Sequence, residues 1–233
     1  MLVKENILRI KEKIADAAVK AGRNPNEITL VAVSKTFPYN YVNEAYLAGV
    51  KNFGENYVQD FLTKYDELKD KDIKWHFIGH LQRNKIKYII DKIYMLHTLD
   101  SVKLAKNLNK KLESADKQLR VLVQINIGEE SAKNGIHPEE AENFLDELQT
   151  LSNLKVEGIM AIPPYFSESE KVRPYFNRMR NLFDKLKKFN CENINMRELS
   201  MGMSNDFHIA IEEGATIVRI GTKIFGERTC KFK

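Results

Sequence analysis

A lysine directly follows a short apolar segment near the start of the chain. Leu30-Val31-Ala32-Val33 is continuously apolar, and Ser34-Lys35-Thr36 comes next. An amine at the end of a buried strand loses hydration, which lowers its pKa and makes it a nucleophile. The alternative is a lysine whose stem packs on apolar surface while its ammonium reaches solvent. Lys35 is therefore a candidate nucleophile, and the segment alone leaves both interpretations open.

Two glycine-containing segments near the C-terminus have the composition of phosphate-binding loops. Ser200-Met201-Gly202-Met203-Ser204 precedes a helical pattern, and Gly221-Thr222 follows an apolar run. Glycine lets the backbone approach an anion, hydroxyls add donors, and N–H groups at the start of a helix point toward the anion. Two ordinary glycine-containing turns are the alternative. We expect phosphate to bind at these two loops.

An arginine interrupts the last apolar run. Val218 and Ile220 alternate with Arg219, so Arg219 points away from the face that helices would cover. A buried guanidinium needs an acceptor, which is either a carboxylate such as Glu198 or, beside Lys35 and a phosphate loop, the nitrogen of a heterocyclic ring. An amine nucleophile, a phosphate loop and a partner for a ring nitrogen together describe a site for pyridoxal 5'-phosphate (PLP).

Strands and helices alternate along the chain, and their order determines where these residues meet. The predicted strands lie at 30–33, 52–54, 75–79, 94–99, 121–127, 156–162, 197–201 and 216–220. The predicted helices lie at 3–21, 41–48, 58–68, 84–90, 101–115, 138–150, 171–189 and 204–213. This alternation predicts the α/β class and a single closed (β/α)8 TIM-type barrel with an extra N-terminal helix. A doubly wound open sheet is the structural alternative. In a barrel, the candidate loops would lie at the C-terminal ends of the strands, where barrels carry their sites.

Length and composition fit one globular domain over residues 1–233. With 43% hydrophobic and 30% charged residues, the chain can bury a sizeable core, which excludes a disordered protein. Its 37 Lys and Arg exceed its 32 Asp and Glu, giving a formal charge of +5. However, basic residues alternate with acidic ones, as in residues 64–72, which favours solvated helix faces over a nucleic-acid site.

Nothing in the sequence predicts export or a membrane partner. No apolar run approaches the roughly 20 residues of a membrane span, and Lys4 and Glu5 lie where a signal peptide would be apolar. Cys191 and Cys230 lack the spacing of a disulfide framework or a zinc site. We therefore expect a cytoplasmic protein.

Six segments in order resemble one known family over nearly the whole chain. They are residues 30–36, 53–59, 75–82, 126–129 and 158–163, and the run from Leu199 to Gly226. The chain resembles the pyridoxal phosphate homeostasis protein family, small PLP-binding proteins related to the N-terminal barrel of alanine racemase.

The resemblance implies a role for each candidate residue. Lys35 would hold PLP as a Schiff base. Ser200, Ser204, Gly221 and Thr222 would bind the phosphate, and Arg219 would face the pyridine nitrogen. Asn56, Met160 and Ile162 would line the ring. The chain departs from some members at Phe37, where they carry a second lysine, so transfer of PLP between neighbouring lysines is in doubt there and Lys133 remains as a second amine.

The resemblance favours a PLP carrier or regulator over an enzyme. Racemisation needs an electron sink and a base on each face of the α-carbon. An arginine does not favour a protonated ring nitrogen, and neither Tyr57 nor Tyr165 is marked as the second base. We expect a monomer that stores or delivers PLP, with PLP-dependent apo-enzymes as recipients. A weak PLP-dependent amino-acid racemase is the alternative.

Two other kinds of site receive little support. His76 and His80 are four residues apart but flank the end of a predicted strand, so we expect no metal site, and His97 fits a hydrogen-bonded interior residue. The adjacent pairs Glu129-Glu130 and Glu212-Glu213 would diverge on a helix, unlike the paired carboxylates of a glycosidase. The polar segment His80–Lys85 is compatible with the cofactor mouth or with a partner surface.

Overall fold

Strands and helices alternate throughout the computed structural model, which describes residues 2–130 and 134–227. The strands are β1 (Thr29–Val33), β2 (Asn52–Glu55), β3 (Lys74–Phe77), β4 (Met95–Leu99), β5 (Leu119–Ile125), β6 (Leu154–Ala161), β7 (Asn190–Cys191), β8 (Ile194–Ser200) and β9 (Ile217–Ile220). The helices are α1 (Leu2–Lys20), α2 (Tyr39–Leu47), α3 (Val58–Glu67), α4 (Ile86–Ile89), α5 (Val102–Glu113), α6 (Ala141–Leu148), α7 (Arg173–Leu186), α8 (Phe207–Glu212) and α9 (Thr222–Phe225). Short 3-10 helices lie at Pro25–Glu27, Arg83–Lys85, Pro138–Glu140 and Ser169–Val172.

Eight of these strands form a closed parallel barrel. They pair in the order β1-β2-β3-β4-β5-β6, β6 pairs with β8, β8 with β9, and β9 returns to β1. The predicted (β/α)8 barrel is therefore confirmed, and the open sheet is wrong. The two-residue strand β7, which the pattern did not indicate, pairs antiparallel with β8 outside the barrel.

The contact between β6 and β8 closes the barrel and depends on a glycine. Gly158 has φ 158°, and a Cβ built there would lie 1.8 Å from the carbonyl oxygen of Glu198. The pairing register of the two strands shifts between Val156 and Gly158. Since no side chain fits at this point, glycine is what allows the last seam of the barrel to form.

Side chains of the barrel strands alternate between an outer and an inner core. In β9, Val218 and Ile220 pack outward in the main hydrophobic cluster beneath the helices. Ile217 points inward, where it packs with Val31, Met95, Leu122 and Met160. Arg219 shares this inward parity, so its predicted orientation toward the barrel axis is confirmed by its contacts, described below.

The N-terminal helix α1 lies outside the βα repeat and covers the last helices. Val3, Ile7 and Ile10 recur on its buried face, and the helix packs on α8 and α9. The amide of Asn6 donates to the Ile224 carbonyl at 3.0 Å, which ties α1 to the helix that follows the last strand. None of the helices in the described part of the chain is long and apolar enough to cross a membrane.

Candidate functional site

The nine predicted site residues gather on one half of the barrel rim. They belong to β2, β1, β9, β8 and β6 or to the loops after them, and these strands are consecutive neighbours in the barrel. The residues are Asn56 after β2, Lys35 after β1, Arg219, Gly221 and Thr222 on β9 and its loop, Ser200 and Ser204 on β8 and its loop, and Met160 and Ile162 on β6 and its loop. Parallel strands with a common direction bring all of these positions to the same end of the barrel.

Lys35 lies in a strained turn at the end of β1. The Phe37 N–H donates to the Ser34 carbonyl at 3.1 Å, and Thr36 between them has φ 71°. A β-branched residue with positive φ costs about 1–3 kcal/mol and is held by its surroundings. The half-buried Lys35 therefore lies in a turn whose backbone conformation is held by the residues packed against it.

A buried ion pair imposes that shape. Lys64 Nζ donates to Glu55 Oε1 at 2.6 Å and to the Ser34 carbonyl at 2.8 Å, and the Ser34 hydroxyl donates to Glu55 Oε1 at 2.6 Å. Burial raises the pKa of Glu55, while Lys64 and the hydrogen bonds oppose that rise. Ser34 is thus fixed through both its hydroxyl and its carbonyl, one residue before Lys35.

The sequence prediction missed this ion pair, although a signal exists. Phe61 and Leu68 are buried on one stripe of α3 and its C-terminal end, and Lys64 falls at i+3 from Phe61 and i−4 from Leu68 on the same stripe. A lysine at a core-facing position of an amphipathic helix is rarely fully buried unless it is paired.

The loops after β8 and β9 are joined to each other and to the end of β1. The Gly221 N–H donates to Ser204 Oγ at 3.3 Å. A Cβ on Gly221 would lie 3.1 Å from the Val33 carbonyl oxygen, so this loop lies close against β1. Thr222 begins α9 and is exposed. Ser204, Gly221 and Thr222 therefore meet at one place beside the Lys35 turn.

A buried carboxylate shapes the first of these loops. Asp206 Oδ1 accepts the Met203 N–H at 2.6 Å, which closes the turn that leads into α8. Burial raises the pKa of Asp206, and this hydrogen bond and the charge of Arg219 oppose the rise.

Arg219 is buried beneath the rim and bonds only neutral groups in the described part of the chain. Its Nη1 donates to Ser200 Oγ at 2.6 Å and its Nη2 to the Ala161 carbonyl at 2.9 Å. The ion pair with Glu198 considered above does not form, because Glu198 Oε2 instead accepts the Thr216 hydroxyl at 2.6 Å. Burial lowers the pKa of Arg219 to about 10, and the nearby charge of Asp206 opposes that fall. The side chain therefore remains a cation at neutral pH, although no carboxylate of the described residues forms a hydrogen bond with it.

Two histidines extend the series of hydrogen bonds from Ser200 toward the barrel interior. His97 Nδ1 lies 3.2 Å from Ser200 Oγ, His97 Nε2 lies 2.8 Å from His76 Nδ1, and His76 Nε2 lies 3.0 Å from Asn52 Oδ1. His97 is thus the hydrogen-bonded interior residue that the sequence predicts. Within residues 2–130 and 134–227, no group of three or more His, Cys, Asp or Glu could hold a metal ion.

Three buried oxygen atoms at the ends of β1 and β2 have no hydrogen-bond partner among the described residues. They are Asn56 Oδ1 and Thr36 Oγ1, on the loops after β2 and β1, and Glu55 Oε2, the second oxygen of the ion-paired carboxylate. Buried polar atoms are normally paired, so the two loop oxygens fit a bound molecule that donates hydrogen bonds. Met160 is fully buried in the inner core, and Ile162 is 38% exposed on the rim.

The opposite half of the rim carries other polar groups. His80 Nδ1 lies 3.3 Å from Asp100 Oδ2, which places the segment His80–Lys85 beside the ends of β3 and β4. On the site half instead, Tyr57 follows β2 and Tyr165 follows β6, and these two side chains are 57% and 79% exposed. Lys133, the other candidate amine, lies outside the described residues.

Known proteins resemble the chain over almost its full length. The family described as alanine racemase, N-terminal domain, matches residues 4–229. A protein of Aquifex aeolicus named pyridoxal phosphate homeostasis protein is 46% identical over 224 residues, which cover 96% of this chain and 97% of that protein.

Solved structures agree with this similarity. PipY of Synechococcus elongatus with PLP bound has a TM-score of 0.80 at 32% identity, and the alignment covers 91% of this chain and 100% of PipY. An alanine racemase of Clostridium difficile has a TM-score of 0.71 at 17% identity, covering 99% of this chain and 58% of the racemase. The racemase shares the fold with this chain, whereas PipY also shares a substantial part of the sequence.

Proposed function

The chain belongs to the pyridoxal phosphate homeostasis protein family, and from this premise we propose that it binds PLP on the rim formed by β2, β1, β9, β8 and β6. The proposal rests on Arg219, a buried cation beneath this rim whose hydrogen bonds, among the residues that the structure describes, go only to neutral groups. Its guanidinium has five N–H donors, of which the structure uses one on each of two nitrogens. A ligand that brings a ring nitrogen and negative charge would complete its environment.

Lys35 is the residue we propose to hold PLP. When bound, PLP would supply an aldehyde carbon, and the Lys35 amine would hold the cofactor through a carbon–nitrogen bond formed with loss of one water. The Ser34–Phe37 turn and the Lys64–Glu55 pair beneath it hold the Lys35 backbone in place. The unpaired Asn56 Oδ1 fits the hydroxyl of the PLP ring, and Met160 and Ile162 would bound the ring on the β6 side.

The phosphate would lie between the loops after β8 and β9. Ser204, Gly221 and Thr222 meet there. The hydroxyls of Ser204 and Thr222 and the Thr222 N–H would donate to the phosphate, while the Gly221 N–H donates to Ser204 Oγ and Gly221 brings the loop close to β1. Ser200 belongs to the same group in the sequence prediction. Its hydroxyl is fully buried and accepts a hydrogen bond from Arg219.

The same arginine favours storage and delivery of PLP over catalysis. The charged guanidinium of Arg219 would disfavour protonation of a ring nitrogen placed beside it, so a bound ring would be a weaker electron sink than one facing a carboxylate. Racemisation also needs a second base, and Tyr57 and Tyr165, the tyrosines considered for it, are both largely exposed. We propose that residues 1–233 form one PLP-binding barrel domain, a cytoplasmic monomer that supplies PLP-dependent apo-enzymes.

The first test is a titration of the purified protein with PLP, followed by borohydride reduction and peptide mapping. The expected result is a yellow absorbance band and a reduced PLP adduct on the peptide that contains Lys35. Lys35→Ala should lose that adduct, whereas Lys69→Ala, at an exposed lysine, should retain it. Absence of a band at excess PLP, or an adduct confined to other lysines, would refute the assignment.

A second test separates a carrier from a weak racemase. The PLP-loaded protein is incubated with single-enantiomer amino acids, and the products are resolved by chiral chromatography. A carrier leaves the enantiomers unmixed. Mixing that Lys35→Ala abolishes would establish the racemase instead.

A further inference from the structure

Buried polar side chains form an unbroken row inside the barrel. Arg219, Ser200, His97, His76 and Asn52 follow one another at hydrogen-bond distances of 2.6, 3.2, 2.8 and 3.0 Å. The row begins beneath the rim, where β8 and β9 end, and finishes at Asn52, the first residue of β2. The PLP-binding roles proposed above use neither histidine.

The chemistry of the two ends determines the direction of the hydrogen bonds. A guanidinium can only donate, so Ser200 Oγ accepts from Arg219. At the other end, an amide oxygen can only accept, so His76 Nε2 carries the hydrogen that faces Asn52 Oδ1.

The hydrogens between these ends follow from the charge of the histidines. Both imidazoles are fully buried, and burial lowers the pKa of His76 to about 3 and that of His97 well below its usual value. Each ring is therefore neutral at pH 7 and has one N–H. With its hydrogen on Nε2, His76 accepts at Nδ1 from His97 Nε2–H. His97 then accepts at Nδ1, and the hydrogen that it accepts is that of the Ser200 hydroxyl.

We propose that His76 and His97 are positioning residues that direct the hydrogen of the Ser200 hydroxyl toward His97 Nδ1, in the barrel interior. Ser200 Oγ is then an acceptor for Arg219 and is not a donor to the phosphate of the ligand. This inference rests on the proposed PLP site. It assigns Ser200 to the ring side of PLP, through Arg219, and leaves the phosphate to Ser204, Gly221 and Thr222.

The tautomers can be measured without any ligand. Histidine labelled with nitrogen-15 in the full chain, with resonances assigned by His76→Gln and His97→Gln, reports which ring nitrogen carries the hydrogen. Both buried rings should be neutral Nε2–H tautomers near pH 7. An Nδ1–H tautomer at His97 would overturn the inference, because the Ser200 hydrogen would then be free for the phosphate. This result stands whether or not the protein binds PLP.

Two serine variants test whether each hydroxyl contributes to binding of the phosphate or only to binding of PLP. Ser200→Ala should weaken PLP binding about 2- to 13-fold, the range for one hydrogen bond, and should leave the affinity for inorganic phosphate unchanged. Ser204→Ala is the matched variant and should weaken both ligands by similar factors. If Ser200→Ala weakened phosphate as much as Ser204→Ala does, the inference would be wrong. Wild-type protein that binds no PLP would refute the proposed function instead.

A histidine variant tests the positioning role itself. His97→Leu should weaken PLP by a factor similar to that of Ser200→Ala, with phosphate affinity unchanged, and the exposed His137→Ala should change neither. Thermal unfolding verifies that each variant is folded. A folded His97→Leu with wild-type affinity for PLP would exclude the positioning role.

Discussion

Replacing Lys64 by methionine tests whether the buried ion pair holds the turn that presents Lys35. The side chains of Lys64 and Glu55 are 5% and 0% exposed, so neither charge is solvated once its partner is removed. Methionine retains most of the length of the lysine stem. The variant therefore deletes one charge and two hydrogen bonds with little change in packing.

The expected loss of stability follows from this burial. Breaking a buried pair by removing one partner costs about 3–5 kcal/mol, against a total stability of about 5–15 kcal/mol. For a chain of this size, that corresponds to a fall in Tm of roughly 6–20 °C. Because Ser34 loses its carbonyl partner, PLP affinity should also fall.

The stability lost in Lys64→Met should increase as pH rises. Burial already raises the pKa of Glu55, and Lys64 opposes that rise, so the variant should have a still higher Glu55 pKa. A raised folded-state pKa means that the folded protein binds a proton more readily than the unfolded chain does, and stability then falls as pH rises. The difference between wild type and Lys64→Met should therefore be larger near pH 8 than near pH 5.

Urea unfolding of the ligand-free protein measures both quantities. Lys69→Met, at an exposed lysine, is the matched control and should cost less than about 0.5 kcal/mol. The double variant Lys64→Met/Glu55→Gln should recover much of the stability, because no buried charge remains and the glutamine oxygen still accepts from Ser34. A cost below about 1 kcal/mol, or one that grows as pH falls, would refute the role of the ion pair.

Three further predictions concern other positions. Arg219→Met should lower PLP affinity at least about tenfold. The unfolding free energy of the ligand-free protein should change by less than about 1.5 kcal/mol. A larger loss, measured by urea unfolding, would show that the guanidinium is mainly structural. Because burial lowers the pKa of His76 to about 3, the unfolded chain binds the proton first, and stability should fall by about 1.4 kcal/mol for each pH unit below about 6.5. The unfolding free energy, measured with urea from pH 7 to 5, should therefore fall more steeply with decreasing pH for wild type than for His76→Gln. Equal slopes would contradict this. Gly158→Ala should prevent closure of the barrel, since its Cβ would lie 1.8 Å from the Glu198 carbonyl oxygen; Gly22→Ala, with no atom within 4 Å, should stay folded, and a soluble Gly158→Ala with wild-type Tm would disprove the constraint.

The hydrophobic pattern predicts the fold because each barrel strand is a short apolar run between polar turns. The predicted strand 121–127 corresponds to β5, and the alternation around Arg219 places that residue inside the barrel. Ends of elements are less well determined. The predicted strand 197–201 begins at Ile194 in the structure, since Asn195 and Arg197 are exposed and obscure the apolar pattern.

The site is predictable where strand order alone brings residues together. Lys35 and Gly221 follow β1 and β9, which are paired neighbours, so their proximity follows from the barrel. The pair Lys64–Glu55 depends on how α3 packs against the outer face of β2. The pair His76–His97 depends on which side chains point inward at one level of the barrel. Sequence spacing does not encode that level, and a single lysine or histidine is more often exposed or isolated.

The one-sided arrangement of the rim bears on how such a protein can change over evolution. The proposed PLP contacts come from β2, β1, β9, β8 and β6, while the loops after β3, β4 and β5 contribute none of them. Those loops can therefore acquire insertions and substitutions without direct loss of the cofactor. Changes on the β3, β4 and β5 side would therefore alter what the barrel rim contacts while leaving the proposed PLP contacts in place.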